Sequence, residues 1–448
     1  MNRLALYTDT IAAIATPPGK GGVAIVKISG PDSLSAVRRF FTSRRNPERH
    51  ARSMIYGHVT MNGDVIDEAL VCYMKAPFSY TGEDVVEIQS HGGYAAAETI
   101  MSLLLDAGIR PAGPGEFTRR AFLNGRIDLA QAEGVMEIVS AENREHLKKA
   151  EHLLDGDFSR RIGHIVETLK KSLSLLEYAI DFQEQEPDTV SREEIARTFD
   201  ELTALLDAMI TSYKTGIRIR HGITVVLAGQ PNSGKSSLFN AILGKKRAIV
   251  HHREGTTRDW IEEKLDLDGI SVNLIDTAGL RETTCEIERE GVGETERLMT
   301  EADIVIRLHD CMREPEPQSE SSGDTTIFIH ISSKADLAED PLQHHGMPSV
   351  SVKTGDGIEN LRRAIIETAR SLLHAGTYDL PVLVERHRTE LAAAKTNIDN
   401  ARAALEGWSE EIPSFEVNEA VGHLEAITGE HIDLDVLDGI FSRFCVGK

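Results

Sequence analysis

The sequence predicts a multidomain protein, α/β in two places and all-α elsewhere. Three observations predict it. The chain has 448 residues, which at roughly 100–200 residues per domain is room for two to four. Near position 121 the apolar residues change spacing, from short runs broken by Gly and Pro to repeats three and four apart. A second strand-and-helix stretch, 217–376, then interrupts the helical part.

Residues 1–120 read as mixed α/β. Val23–Ile28 and Val85–Ile88 have strand character, punctuated by Pro17-Pro18-Gly19, Pro31, Pro77, Gly92-Gly93 and Pro114-Gly115. From 121 to 216, Leu153, Leu154, Ile162, Ile165, Val166, Leu169, Leu173 and Leu176 recur at helical spacing. Residues 217–376 alternate short apolar strands with helices. From 377 to 448 the chain turns helical again, through Leu391–Ala394, Ala401–Leu405 and Val417–Ile427. The simplest plan is an α/β domain inserted into a helical domain whose halves are separated in sequence. Glu314–Gly323 is polar and Pro-rich, and reads as a surface loop.

The net charge is −22, which repels nucleic acid unless a local basic face survives. Arg38, Arg39, Arg44 and Arg45 form one small cluster, read as a solvated helix end or loop. An RNA substrate would then be gripped largely through a partner. The four cysteines, Cys72, Cys285, Cys311 and Cys445, lack CxxC spacing, which disfavours disulfides and zinc. No window reaches the roughly 20 apolar residues of a membrane span, and the N-terminus lacks a signal-peptide pattern. A cytoplasmic protein is expected.

The strongest motif is Gly229-Gln-Pro-Asn-Ser-Gly-Lys-Ser236, between the strand Ile223–Ala228 and the helical stretch Ser237–Leu243. That is the phosphate-loop context. Glycines let amides, those of Asn232, Ser233, Gly234 and Ser237 among them, wrap phosphates at a helix N-terminus. Lys235 would neutralise the β/γ-phosphates and Ser236 would ligate Mg²⁺. Downstream, Thr256 and Thr257 can offer a second Mg²⁺ hydroxyl. Asp276-Thr277-Ala278-Gly279 ends a strand, with Asp276 toward Mg²⁺ and the Gly279 amide toward the γ-phosphate. Ser333-Lys334-Ala335-Asp336 follows another strand. Asp336 can accept two hydrogen bonds from guanine, which adenine cannot offer. Ser351-Val352-Lys353, after a further short strand, would back the base. These elements in this order point to a GTP hydrolase.

Two positions depart from the usual pattern. Ser333 stands where such enzymes carry Asn, which weakens one base contact and leaves Asp336 to select guanine. Leu280 stands where Ras-like enzymes place a water-orienting Gln, so another residue must orient water.

The chain as a whole resembles the tRNA-modification GTPase family MnmE, also called TrmE. The resemblance rests on Ala15–Gly22, Tyr80–Asp84 running into His91-Gly92-Gly93, Pro114–Phe117 and Ala121–Asn124. Further along it rests on Asp128–Glu133, Gly255–Asp259 and the terminal Cys445-Val446-Gly447-Lys448. It implies an N-terminal folate-binding and dimerisation domain at 1–120, a helical domain at 121–216 and 377–448, and a Ras-like GTPase domain at 217–376. It implies a homodimer working with a flavin-dependent partner, MnmG, which carries the FAD. Together they modify carbon 5 of the tRNA wobble uridine, in a carboxymethylaminomethyl-type reaction. A 5-formyl- or 5,10-methylene-tetrahydrofolate supplies one carbon. The family's folate contacts map to Lys27, Glu87, Arg126 and Lys448; Lys27 and Arg126 keep the charge of the family's residues but exchange Arg and Lys. The family's GTPase uses K⁺, here assigned to Asn232 with His251, Arg253 and Thr256, and its water-orienting acid maps to Glu288.

Some residues stay open. Gly19-Lys20-Gly21-Gly22 precedes a strand and reads as a turn rather than a second phosphate loop. His91 is either structural or an acid–base group. Cys445 is either a thiolate nucleophile or a small apolar residue. A regulatory or ribosome-assembly GTPase without folate chemistry is the competing function; an ATPase is disfavoured by Asp336.

Overall fold

The computed structural model describes residues 9–181, 192–244, 261–277, 297–312, 326–338, 346–374, 381–407 and 411–448. The chain divides into two compact units, one of 1–139, 151–196 and 396–448, the other of 140–150 and 197–395.

The first unit holds a seven-stranded sheet of β1 (Ile11–Ile14), β2 (Val23–Ser29), β3 (Phe41–Ser43), β4 (Met54–Met61), β5 (Asp64–Met74), β6 (Val85–His91) and β7 (Arg110–Pro111). Their order is β3-β4-β5-β6-β2-β1-β7, antiparallel except for the β1–β7 pair. Asn62 and Gly63, at φ 53 and 93, close the β4–β5 hairpin with the left-handed backbone such a turn needs. Successive strand residues face opposite ways. Val26, Ile28, Val71, Tyr73, Val86 and Ile88 therefore share a buried side, where the helix Tyr94–Asp106 adds Ala97, Ile100 and Leu104. Each large side chain buried there contributes roughly 1.5–3 kcal/mol. The alternate residues, Lys27, Glu87 and Cys72 among them, form a row on the other side, because Lys27 pairs with Glu87 and Glu87 with Cys72.

In the same unit the helix Glu116–Leu123 packs on the helix Leu434–Phe441 through Phe122, Leu123, Leu437, Phe441 and Phe444. This docking brings in the C-terminal tail. Val446 bridges Pro114, and the Phe117 amide donates to the Lys448 carbonyl at 3.1 Å. Gly447 has φ 92, and a Cβ there would lie 2.9 Å from Ala15 Cα, so the close approach requires glycine.

The second unit holds a five-stranded sheet of β8 (Ile223–Gly229), β9 (Ile261–Leu267), β10 (Ile270–Asp276), β11 (Ile304–Asp310) and β12 (Ile327–Ser333). The order is β12-β11-β8-β10-β9. Only β9 runs antiparallel to its neighbour. Val225–Leu227 and Ile304–Ile306 are buried as continuous apolar runs, as strands covered on both faces must be. Leu238, Phe239 and Ile242 of the helix Lys235–Leu243, with Leu361 and Ile365 of the helix Ile358–His374, pack on one face. Leu298 and Ala302 pack on the other. The short strand expected before Ser351 is instead a single bridge between Ser332 and Ser349. Pro348 lends only its carbonyl, to the Ser332 amide, since proline has no N–H to continue a ladder. Among the described residues no helix is long and apolar enough to cross a membrane.

Candidate functional site

Gly229, Asp276, Asp310 and Ser333 are the last residues of four parallel strands, so they share the sheet edge where such folds bind ligands. The loop after β8 takes left-handed backbone at Asn232 (φ 64) and Gly234 (φ 96). At Gly229 a Cβ would sit 2.6 Å from the Leu308 carbonyl oxygen, so a side chain would push the loop off its neighbouring strand. Lys235 is buried, and its Nζ donates to the carbonyls of Gly229 and Gln230 at 2.9 and 3.0 Å. The loop is thus wrapped around one ammonium. The helix Lys235–Leu243 starts at the same point, with Ser236 and Ser237 in its first turn; its unsatisfied amides favour an anion there.

Asp276 is 1% exposed, paired in register with Leu227. The Thr277 hydroxyl donates to the Leu227 carbonyl at 2.9 Å and fixes the end of β10 beside the loop. An acidic group and a serine hydroxyl flanking an anion-binding loop form the oxygen donor set that Mg²⁺ prefers.

The base-reading residues also come together. Lys334 has φ 58, and its Nζ bonds Asp310 at 2.8 Å. Asp336 accepts from the Ser351 hydroxyl at 2.7 Å and lies 3.9 Å from the exposed Lys353 ammonium. Val352 is exposed beside them. Ser333 is turned toward the phosphate loop. It is buried, and its hydroxyl is 2.7 Å from the Ser233 carbonyl and 3.2 Å from that of His309, donating into the phosphate loop and β11. Asp310 and Cys311 went unread in the sequence. The Cys311 thiol donates to the Lys334 carbonyl at 3.2 Å, and their only sequence signal is their place at the end of an apolar strand. His251, Arg253, Thr256, Thr257, Ala278, Gly279, Leu280 and Glu288 lie outside the described residues.

A second constellation lies on the polar side of the N-terminal sheet. The Lys27 ammonium is 4.0 Å from Glu87, and 5.0 and 5.4 Å from the ring centroids of Tyr80 and Phe117. Burial holds this ammonium below the usual lysine value against the opposing pull of Glu87, and the charge of Lys448 adds to the depression. Burial and then Glu87 raise the neighbouring Cys72 thiol. Three of the four family-implied residues, Lys27, Glu87 and Lys448, are therefore gathered. Arg126 is exposed, on the wall of a cavity of about 560 Å³ with Phe122, Asp128, Gln131 and Arg160.

Cys445 is exposed, and its carbonyl accepts the Gly115 and Lys448 amides at 3.4 and 3.3 Å. His91 places Nδ1 2.6 Å from Asp67, which also accepts the His91 backbone amide. Gly19–Gly22 leads into β2 as a turn, with the Gly21 amide donating to the Gly92 carbonyl at 2.9 Å.

Two family models match the chain. The model for the GTP-binding protein TrmE N-terminus matches residues 10–126, and that for the MnmE helical domain matches residues 129–445. The chain is similar to the tRNA modification GTPase MnmE of Geotalea uraniireducens, 38% identical over 98% of this chain and 99% of the relative. The MnmE of Carboxydothermus hydrogenoformans is 38% identical over 99% and 100% of the two chains. That of Geobacter sulfurreducens is 39% identical over 98% and 99%.

Proposed function

The chain belongs to the MnmE family of tRNA modification GTPases and is a GTP hydrolase acting in tRNA modification, and from that premise we propose how its two sites divide the work. The second unit binds and hydrolyses GTP. Lys235 and the amides of Asn232–Ser237 hold the phosphates, and Asp336 selects guanine with Ser351–Lys353 behind the base. Ser236, Thr257 and Asp276 hold Mg²⁺, which neutralises charge on the transferring phosphoryl group. Asn232, with the chain around His251, Arg253 and Thr256, holds K⁺. Thr277, Ala278 and Gly279 belong to the GTP site, with the Gly279 amide sensing the γ-phosphate, and Glu288 orients water. The observation that carries this reading is the buried Lys235 ammonium bonded inside its own loop, at the sheet edge that also ends in Asp276 and Ser333.

The first unit binds a tetrahydrofolate derivative that supplies a one-carbon unit. The residues fit such a molecule. A carboxylate at Glu87 can pair with the aminopyrimidine edge of a pterin, beside the rings of Tyr80 and Phe117, and Lys27 and Lys448 supply positive charge for the acidic tail. Arg126, the fourth residue that the family implies, contacts the same ligand. Cys445, exposed in the C-terminal tail, is the candidate thiolate nucleophile of this site rather than a buried apolar residue. The domain plan 1–120, 121–216, 217–376 and 377–448, the homodimer, the flavin-dependent partner MnmG and the cytoplasmic location belong to the same reading.

The test is mass spectrometry of wobble nucleosides from cells with and without the gene, alongside titration of the purified full chain with 5-formyltetrahydrofolate. Loss of the C5 modification with micromolar or tighter folate binding is expected. Unchanged wobble nucleosides and no folate affinity would move the chain to the regulatory class. Hydrolysis should be much faster in K⁺ than in Na⁺, and equal rates would remove the K⁺ assignment.

A further inference from the structure

Apart from the residues of both sites, the N-terminal sheet carries a basic face on a chain of net charge −22. Between Arg38 and Arg52 stand six arginines, Arg38, Arg39, Arg44, Arg45, Arg49 and Arg52, with Glu48 the only carboxylate. All six are exposed. The fold gathers them at the β3 side of the sheet. Arg38 caps the C-terminus of the helix Ser33–Val37, Arg44 and Arg45 follow β3, and Arg49 sits in the tight turn Pro47–His50. Asn46 accepts from the Glu48 amide at 3.0 Å and from Arg38 at 3.1 Å, tying the segments together. Arg38 also bonds Glu48 at 2.6 Å, so the one carboxylate is spent within the cluster. The exposed Lys75 belongs to the same face: its carbonyl accepts the Phe78 amide at 3.0 Å, and the Arg52 amide donates to the Tyr73 carbonyl at 2.7 Å.

The face also carries an aromatic platform. The Phe78 ring is 69% exposed. The Arg52 guanidinium lies 5.3 Å from its centroid and donates to its carbonyl at 2.8 Å. An open ring gains nothing from water, whereas a ring flanked by guanidinium groups suits a stacked base beside phosphates.

We propose that Arg38–Arg52, Lys75 and Phe78 form a docking surface for the tRNA substrate, the arginines on its phosphodiester backbone and Phe78 against an unpaired base. The charge complementarity is local and strong, and it answers how so acidic a chain approaches RNA. The inference rests on the reading of the chain as a tRNA-modification GTPase.

The experiment is fluorescence anisotropy of the full chain with an unmodified tRNA transcript carrying uridine at the wobble position. The variant Arg44→Glu/Arg45→Glu/Arg49→Glu should bind at least tenfold more weakly. Its dependence of log K on log salt should flatten by about 0.7–0.9 for each phosphate that is no longer neutralised. Phe78→Ala should weaken binding roughly fivefold or more. Arg44→Lys/Arg45→Lys/Arg49→Lys should keep most of the affinity, because the charge remains. GTP hydrolysis by each free variant should equal that of the native chain; if the Glu variant loses it, the Gln replacements carry the same test. Native affinity and salt slope in the charge-reversed chain would overturn the proposal, as would equal loss in the Lys variant. In cells lacking the gene, failure of the charge-reversed chain to restore the wobble modification is expected. Full restoration overturns the surface alone, while unchanged nucleosides in the deletion strain overturn the tRNA reading beneath it.

Discussion

The nucleotide site draws its loop, its lysine and the start of its helix from one short stretch, Gly229–Ser237, whereas the Lys27 face draws Lys27, Glu87 and Lys448 from positions scattered along the chain. The contrast follows from what each recognises with. A phosphate loop works through backbone amides at a helix start, so its residues must be consecutive. A sheet face works through side chains on neighbouring strands, so its residues are set by register: Lys27 meets Glu87, and Glu87 meets Cys72, because β2, β6 and β5 pair there. Lys448 arrives only because Gly447 lets the tail lie against Ala15.

The sharpest way to break the comparison is to disturb the scaffold beneath the scattered site. The Arg120 side chain is fully buried. Its guanidinium bonds Asp9 at 2.8 Å, Glu116 at 3.0 Å and Glu83 at 3.2 Å. Glu83 in turn accepts from the Ser29 hydroxyl at the end of β2. Arg120→Leu removes the cation bonded to the largely buried Glu83, while Arg110 still bonds Asp9 and Glu116, a loss of roughly 3–5 kcal/mol. In calorimetry of the full chain, the transition of the first unit should fall while the transition raised by a GTP analogue stays in place. A matched fall of both would show that the two sites do not rest on separate scaffolds.

A smaller effect sharpens the nucleotide side. Ser333→Ala leaves the Ser233 carbonyl without its hydroxyl donor, and one such neutral bond is worth about 0.5–1.5 kcal/mol. Affinity for GDP and GTP should weaken together, by roughly two- to tenfold. The preference for GTP over 7-deazaguanosine triphosphate, which lacks the N7 acceptor that a hydroxyl on that edge of the base would meet, should not change, since the Ser333 hydroxyl donates to the Ser233 carbonyl. A changed preference would return Ser333 to the base contact that its place in the motif suggests.

Ser333 also marks how far the sequence can be read. The order of the phosphate loop, Asp276 and Asp336 was legible, because each lies at or just past the end of a strand and parallel strands end at one edge, whereas Ser351 follows only the Ser332–Ser349 bridge. What the Ser333 hydroxyl touches was not, because a serine has two directions to turn and only the packing of β11 and β12 chooses. The N-terminal sheet was legible as strands at Val23 and Val85, but its order β6-β2-β1 was not, since nothing local specifies which strands pair. The gathering of Lys27 and Glu87 came from resemblance alone. The arginine cluster was visible as four residues and read as solvated; Arg49, Arg52, Lys75 and Phe78 join it only through the turn Pro47–His50 and the loop after β5.

The smallest expected effect concerns His91, at the far end of β6 from the turn that holds Glu83. Its bond to Asp67, and then the charge of Asp67, raise the imidazole above the ordinary histidine value of 6.5. The sign follows by linkage. A base with a raised folded pKa contributes stability that is fully present below about 6.5 and is lost as the pH rises through the raised value. The ring is well exposed, so salt screens the pair and the contribution is small. His91→Gln should therefore lower the stability of the first unit slightly at pH 6 and leave it close to native at pH 9, in denaturant unfolding at low salt. If the native chain and the variant lose stability in parallel across that range, the Asp67 pair does not set it. The imidazole would then be better explained by a role in solution chemistry than by the hold it gives the end of the strand.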